Sequence, residues 1–145
     1  MLNQSEPDSR PSSGTRFVLA IIASGMLTVF LIAFWLKPDP RGFGTHQQLG
    51  LPPCQFRQFL GVSCPHCGMT TSFSNFVRGN FHAAHRANPL GIPLAITWAF
   101  CVPWCFSVAI TGRWIGTTDP FHWLVFGTIF YLILAFGVWV SRGLT

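Results

Sequence analysis

The chain has 145 residues, of which 50% are apolar and only 9% are charged, and its formal net charge is +5 at pH 7. A soluble domain usually carries about 25% charged residues, so this composition excludes an ordinary soluble surface. The Lys and Arg residues stand singly instead of forming runs, which argues against a nucleic-acid partner and is typical of residues that flank membrane segments.

Three uncharged apolar stretches reach the length of about 20 helical residues that a bilayer requires. They are residues 17–36, 90–110 and 121–140. The sequence therefore predicts an all-α integral membrane bundle with three spans, forming one domain over residues 16–145. Pro103 in the second stretch predicts a helix kink. Residues 1–15 are polar and rich in Ser and Pro, and they predict a disordered tail.

The distribution of Lys and Arg predicts the orientation in the cell (inner) membrane, because cytoplasmic loops carry an excess of both residues. With three spans, the N-terminus shares a side with the loop at 111–120, and that side holds Arg10, Arg16 and Arg113. The long loop at 37–89 and the C-terminus are predicted to be cytoplasmic because their side holds more basic residues: Lys37, Arg41, Arg57, Arg78, Arg86 and Arg142.

Within the long loop, the sequence predicts a short amphipathic helix from Pro65 to Arg78, with Cys64 at its N-cap. Gly79-Asn80 should end this helix, and a second helical piece should cover residues 81–88. Both are too short to span, so we expect them along the membrane interface, with a Phe-rich face toward lipid or the bundle. That face consists of Met69, Phe73, Phe76 and Val77.

Three of the five cysteines lie in this loop, and their spacing allows a structural zinc site. A Cys-x-x-Cys turn lets two thiolates reach one tetrahedral zinc ion, and a third cysteine and a histidine can complete the site. His85 or, three residues earlier, His82 could be that histidine. The predicted metal ligands are Cys54, Cys64, Cys67 and His85.

Thiol redox chemistry is an alternative use of the same residues. The tetrapeptide Cys64-Pro65-His66-Cys67 is similar to the active-site sequence of strongly oxidising thioredoxin-fold oxidoreductases, although no strand–helix alternation of that fold surrounds it. A cysteine at a helix N-terminus has a stabilised thiolate. On this hypothesis Cys64 and Cys67 are catalytic, as nucleophile and resolving thiol, and Cys54 is a relay. A cytoplasmic compartment would keep such a pair reduced.

A third interpretation gives the cysteines a packing role, since cysteine often behaves as a small apolar residue. Cys101 and Cys105, four residues apart in the second span, are predicted to pack against a neighbouring helix. The three apolar stretches contain no Asp, Glu, Lys or Arg, which argues against a pump or transporter acting alone.

The stretch from Cys54 to Leu90 resembles a bacterial membrane family known as domain of unknown function 2752. The shared features are a cysteine ten residues before a Cys-Pro-x-Cys-Gly-Met-Thr turn, then Gly79-Asn80, and then Asn88-Pro89 at the start of a span. The family pattern has an arginine where this chain has Thr71. The resemblance implies a membrane protein with a cysteine turn and no assigned activity.

The sequence thus favours a small polytopic membrane protein whose cysteine-rich loop has a non-enzymatic structural or partner-binding role, with zinc as the cofactor that would stabilise it. The expected partners are the lipid bilayer and other membrane proteins. The alternative is a membrane thiol–disulfide oxidoreductase that uses Cys64 and Cys67.

Overall fold

A computed structural model describes residues 10–116 and 120–143, and these two ranges contain helices and turns but no strand. The all-α prediction is therefore confirmed. The elements in chain order are α1 (Ser13–Trp35), a short 3-10 helix (Thr45–Leu49), α2 (Gln55–Leu60), α3 (Met69–Phe76), α4 (Phe81–Ala87), α5 (Gly91–Thr111) and α6 (Pro120–Gly143).

Helices α1, α5 and α6 are each long and apolar enough to cross a membrane, as the sequence predicted. Large apolar side chains on their surfaces are exposed, including Phe17, Phe100 and Phe130. Such a surface would be unfavourable in water but matches hydrocarbon, so the fold is that of a helical membrane protein with three spans.

Helix α1 begins earlier than the predicted span, and residues 13–15 are helical instead of belonging to a disordered tail. The reason is local: the Ser12 hydroxyl accepts a hydrogen bond from the Thr15 backbone N–H at 3.1 Å, which is a standard N-cap. Residues 1–9, where the rest of the predicted tail falls, lie outside the described residues.

Helices α1 and α5 form an antiparallel pair. Near the start of α1, Arg16 donates to the carbonyl oxygens of Ala109 and Ile110 at 2.7 and 3.1 Å, and these carbonyls belong to the last turn of α5. Helix ends leave four carbonyls without intrahelical partners, so this arginine satisfies groups that α5 cannot. Helix α5 runs unbroken through Pro103.

Helix α3 is inserted between α1 and α5 at the end where α1 stops and α5 starts. Phe73 is buried, and its ring lies 5.6 Å, between centroids, from both Phe30 of α1 and Trp98 of α5. Met69, Phe76 and Val77 pack around this cluster. The predicted apolar stripe is thus confirmed, and it faces the bundle.

The opposite face of α3 is also covered by protein, which its polar composition did not predict. Thr71, Ser72, Ser74 and Asn75 are all buried. Ser74 donates to the Leu36 carbonyl oxygen at 2.7 Å, and Ser72 donates to the Ala84 carbonyl oxygen at 2.8 Å. Burial of these hydroxyls is tolerated because each has a partner.

Helices α3 and α4 are separated where the sequence predicted. Gly79 has a φ of 76°, and the Asn80 N–H donates to the Asn75 carbonyl oxygen at 3.0 Å, which is the long bond of a Schellman motif. Asn80 then precedes α4, which covers Phe81–Ala87, although its side chain makes no capping bond.

Helix α6 meets the rest of the chain at the segment that carries Cys64 and Cys67. The Trp139 indole N–H donates to the Ser63 carbonyl oxygen at 2.8 Å, and the Tyr131 ring lies 6.1 Å from that of His66. The C-terminal end of α6 therefore shares a side with the long loop, as three crossings require.

Candidate cysteine site

The segment between Cys64 and Gly68 is a pair of turns and not the first turn of a helix. The Cys67 N–H donates to the Cys64 carbonyl oxygen at 3.0 Å, and the Met69 N–H donates to the His66 carbonyl oxygen at 3.0 Å. Helix α3 starts only at Met69, with Gly68 as its N-cap residue at a φ of 83°. The predictions that Pro65 opens the helix and that Cys64 caps it are wrong.

Close packing around Gly68 explains this geometry. A side chain there would clash with the backbone carbonyls of Ala87 and Gly42, and the positive φ is one that L-residues rarely adopt. The clash is not visible in the local sequence, because Gly42 and Ala87 come from distant parts of the loop.

Asn88 fixes the turn to the start of α5. Its side chain is fully buried and donates to the carbonyl oxygens of Pro65 and Cys67, both at 3.2 Å. Its own side-chain oxygen accepts from the Leu90 N–H at 3.0 Å. One amide therefore satisfies three backbone groups, and it sets the position of the cysteine turn relative to the membrane helices.

Cys54 reaches the same place from a different element. It is the N-cap residue of α2, and its carbonyl oxygen accepts from the N–H groups of Arg57 and Gln58, both at 3.1 Å. The Arg57 guanidinium lies 3.8 Å from the centroid of the Phe43 ring, a cation–π contact that places its charge near the turn.

Cys54, Cys64 and Cys67 line one cleft of about 320 Å³. Cys54 and Cys64 are half-buried, whereas Cys67 is 8% exposed. All three are free thiols. The other side chains of the cleft are mixed in character and include Phe43, His46, Gln47, Arg57, His66 and Met69.

The thiols of Cys54 and Cys64 are close enough to shift each other's titration. The pKa of Cys54 is lowered from its usual 9.0, chiefly by the backbone N–H of Arg57, and the neighbouring Cys64 thiol acts in the same direction. Burial raises the pKa of Cys64, and its interaction with Cys54 raises it further. The more acidic thiol is therefore Cys54, at the start of α2.

The structure brings together three of the four predicted metal ligands. His85 lies on α4 and is exposed, as is His82, and neither lines the cleft; its histidines are His46 and His66. Within residues 10–116 and 120–143, no group of three or more His, Cys, Asp or Glu side chains has an arrangement that could hold a metal ion. The zinc site stays a prediction.

Two residues that matter to the site were missed. Arg57 and His46 carried no motif, and only the folding of the loop places them beside the thiols. Asn88 was noticed in the sequence only as part of Asn-Pro. A weak signal for Asn88 did exist, because a polar residue two positions before a predicted span is a candidate for capping its backbone N–H groups.

The fold and the site define a small multi-pass membrane protein with a cysteine cleft in its first loop. A family model described as "Protein of unknown function (DUF2752)" matches residues 54–102, about a third of the chain. This match covers all three cleft cysteines and confirms the family resemblance over that part. No curated protein and no solved structure matches the chain.

Proposed function

We propose that the cleft is a thiol–disulfide exchange site, with Cys54 as the attacking thiol and Cys64 as its partner. The observation that carries this proposal is the meeting of Cys54 with Cys64 and Cys67, from two separate segments, in one open cleft. Chance packing of small apolar residues would not require thiols from both segments at the same accessible place.

The exchange balances without a cofactor. The Cys54 thiolate attacks one sulfur of a substrate disulfide, forming a mixed disulfide and releasing the first substrate thiolate. Cys64 then attacks the Cys54 sulfur, which breaks the mixed disulfide and releases the second substrate thiol. The substrate disulfide is reduced to two thiols, the Cys54–Cys64 pair is oxidised, and the two protons pass to the substrate thiols. The reverse sequence oxidises a dithiol.

The contacts that hold the loop support a chemical role over a structural one. Arg78 bonds the loop to α1, Ser72 bonds α3 to α4, and Asn88 bonds the cysteine turn, and none of these hydrogen bonds involves a cysteine side chain. The loop therefore has its own framework, so the half-buried Cys54 and Cys64 are not needed to maintain it.

The charge in the cleft does not come from Thr71, the position where the resemblance described above has an arginine. Thr71 is buried and its hydroxyl bonds that of Thr45 at 2.7 Å, so it brings no charge. Arg57 lines the same cleft from α2 and provides a positive charge there. The pKa of Cys54 is lowered chiefly by the backbone N–H of Arg57, so a thiolate there is stabilised without the arginine.

Disulfide mapping tests the proposal. The full chain with Cys101→Ala and Cys105→Ala, in lipid vesicles, is equilibrated with oxidised glutathione and analysed by peptide mass spectrometry. The expected product is an intramolecular Cys54–Cys64 disulfide, which dithiothreitol reverses. Cys67→Ser should still form this bond, and either Cys54→Ser or Cys64→Ser should abolish it. Exclusive formation of Cys64–Cys67, or of no bond, would overturn the proposal.

The compartment decides which direction the exchange takes. If the loop is cytoplasmic, as the basic residues predict, the resting pair is reduced and serves as a reductant or a sensor. Labelling of intact cells with a membrane-impermeant maleimide reports both sidedness and redox state. Labelling of Cys54 only after the membrane is permeabilised is the result expected for a cytoplasmic loop.

Zinc analysis of the same purified protein addresses the structural alternative. About one zinc per chain, lost in the Cys64→Ser variant, would support a metal-stabilised loop over the exchange site. We expect a substoichiometric amount, unchanged by that substitution.

A further inference from the structure

Helix α2 presents an apolar face that the rest of the chain does not cover. Phe56, Phe59 and Leu60 fall at i, i+3 and i+4, so they share one side of the helix. Their exposed fractions are 44%, 80% and 61%, and Val62 just beyond the helix is 43% exposed. Phe59 is more exposed than Trp123 at 75%, which stands on a membrane span.

Two of the three polar residues of α2, Arg57 and Gln58, lie on its other side. Arg57 and Gln58 line the cysteine cleft, and Arg57 is held against the Phe43 ring. The helix is therefore amphipathic, with its charge turned toward the cleft and its apolar side turned outward. A short helix with this division is suited to lie in the plane of a membrane interface.

The depth of α2 is set by its connection to α6. Ser63, three residues after Leu60, accepts the hydrogen bond of the Trp139 indole. Trp139 stands near the C-terminal end of a spanning helix, where indole rings favour the headgroup layer. The chain just after α2 is thereby held at the boundary between headgroups and hydrocarbon.

We propose that the outer face of α2, formed by Phe56, Phe59, Leu60 and Val62, is immersed in the bilayer at the headgroup boundary. Lipid suits this face better than a protein partner does. A stable protein interface needs roughly 800 Å² from each side with shaped complementarity, and four side chains on six helical residues and a turn cannot supply it. Lipid tails require only apolar surface.

This placement also corrects the location of the interfacial helix. The sequence predicted that residues 65–78 and 81–88 lie along the interface, but α3 is enclosed by α1, α4 and α5 and exposes little of its apolar stripe. Helix α2 takes the interfacial position in its place. Because Arg57 and Gln58 are on its inner side, the cysteine cleft opens next to the membrane surface.

Photochemical labelling from the lipid phase tests the proposal on the chain with its natural sequence. The protein is placed in phosphatidylcholine vesicles doped with a phospholipid that carries a diazirine near the top of one acyl chain, and it is irradiated. We expect lipid adducts on Phe56, Phe59 or Leu60 as well as on α1, α5 and α6. The exposed α4 residues His82, His85 and Arg86 should carry none.

A matched pair of substitutions sharpens the test. Phe59→Ser should lower the adduct yield on Phe56 and Leu60 several-fold, whereas Gln58→Ser, one residue away on the cleft side, should leave it unchanged. Labelling of α5 in the same sample shows whether each variant still inserts. Adducts confined to the three spans, or cross-links from Phe59 to a second protein chain, would overturn the proposal. No cysteine takes part, so these outcomes leave the thiol proposal to its own test.

Discussion

The long loop has two halves that differ in which groups they bury and which they expose. In the half built on α3, buried Ser and Asn side chains donate to backbone carbonyls at the end of α1, in α4 and in the cysteine turn, and the more exposed Arg78 donates to carbonyls at the end of α1. In the half built on α2, apolar side chains are exposed and three thiols are free. The first half is a framework, and the second carries the exposed apolar side chains and the free thiols.

This difference shows how a membrane protein can hold an open cleft in a loop outside its spans. Polar groups buried near hydrocarbon are costly without partners, so the α3 half is stable only when nearly all its bonds are made. The α2 half is held by the contact of Arg57 with the Phe43 ring and by the hydrogen bond from Trp139 to Ser63, so it can expose thiols without loosening the framework. Substitutions in the two halves should therefore have different consequences.

The largest effect is expected for Arg78→Ala, in the framework. The guanidinium donates to the carbonyl oxygens of Ala33 and Leu36, at the end of α1, at 3.0 and 2.7 Å, and to that of Ser74 at 2.6 Å. Loss of several charge-assisted bonds should lower the free energy of unfolding by at least about 3 kcal/mol. Thermal unfolding in detergent, followed by tryptophan fluorescence, measures this loss.

Two further variants make the Arg78 prediction specific. Arg78→Lys keeps the charge but cannot donate to several carbonyls from one planar group, so its loss of unfolding free energy should be intermediate. Arg86→Ala, at an exposed position on α4, should change little. An equal loss for Arg86→Ala and Arg78→Ala would contradict the framework assignment.

The second-largest effect on stability is expected from substitutions at two glycines with the same backbone conformation. Gly68 has a φ of 83° and Gly79 has a φ of 76°, but a side chain at Gly68 would strike backbone carbonyls, whereas nothing lies within 4 Å at Gly79. Gly79→Ala should cost about 1 kcal/mol from conformation alone. Gly68→Ala should cost more than about 2 kcal/mol, because steric overlap is added. Similar unfolding temperatures for the two variants would show that Gly68 is not enclosed.

A smaller effect is expected where α6 meets the cysteine turn. Trp139→Phe removes the hydrogen bond to Ser63 and should cost about 1 kcal/mol in the same unfolding assay. The Tyr131 hydroxyl is buried without a hydrogen-bond partner among the described residues, so Tyr131→Phe should be neutral or slightly stabilising. The reverse ranking would mean that the hydroxyl, and not the indole, joins α6 to the turn.

The smallest effect is kinetic and concerns the two half-buried thiols of the cleft, Cys54 and Cys64. Because the pKa of Cys54 is lowered and that of Cys64 is raised, the alkylation rate of Cys54 should reach half its maximum below pH 9.0, and that of Cys64 above it. Between pH 7 and 8.5, iodoacetamide should modify Cys54 several-fold faster. Peptide mass spectrometry of the full chain follows both sites, and the opposite order would assign the attacking role to Cys64.

Sequence reasoning succeeded for the features that depend only on residues close together in the chain. The spans, the stop at Gly79 and the helix after Asn80 depend on hydropathy, glycine and capping within about twenty consecutive residues. It failed at Cys64, where Pro65 gave a good local start for a helix. Contacts of Gly68 with Gly42 and Ala87 delay that helix to Met69, and they lie far away in sequence.

The amino-acid sequence by itself determined that this is an all-α chain with three membrane spans and a cysteine-bearing loop, because the transfer of apolar residues into hydrocarbon adds up along consecutive positions. Only the tertiary structure decided that α3 is enclosed, that α2 faces outward, and that Cys54 lies beside Cys64. Those features depend on contacts between carbonyls, rings and thiols that are far apart in the sequence, and local composition does not predict such contacts.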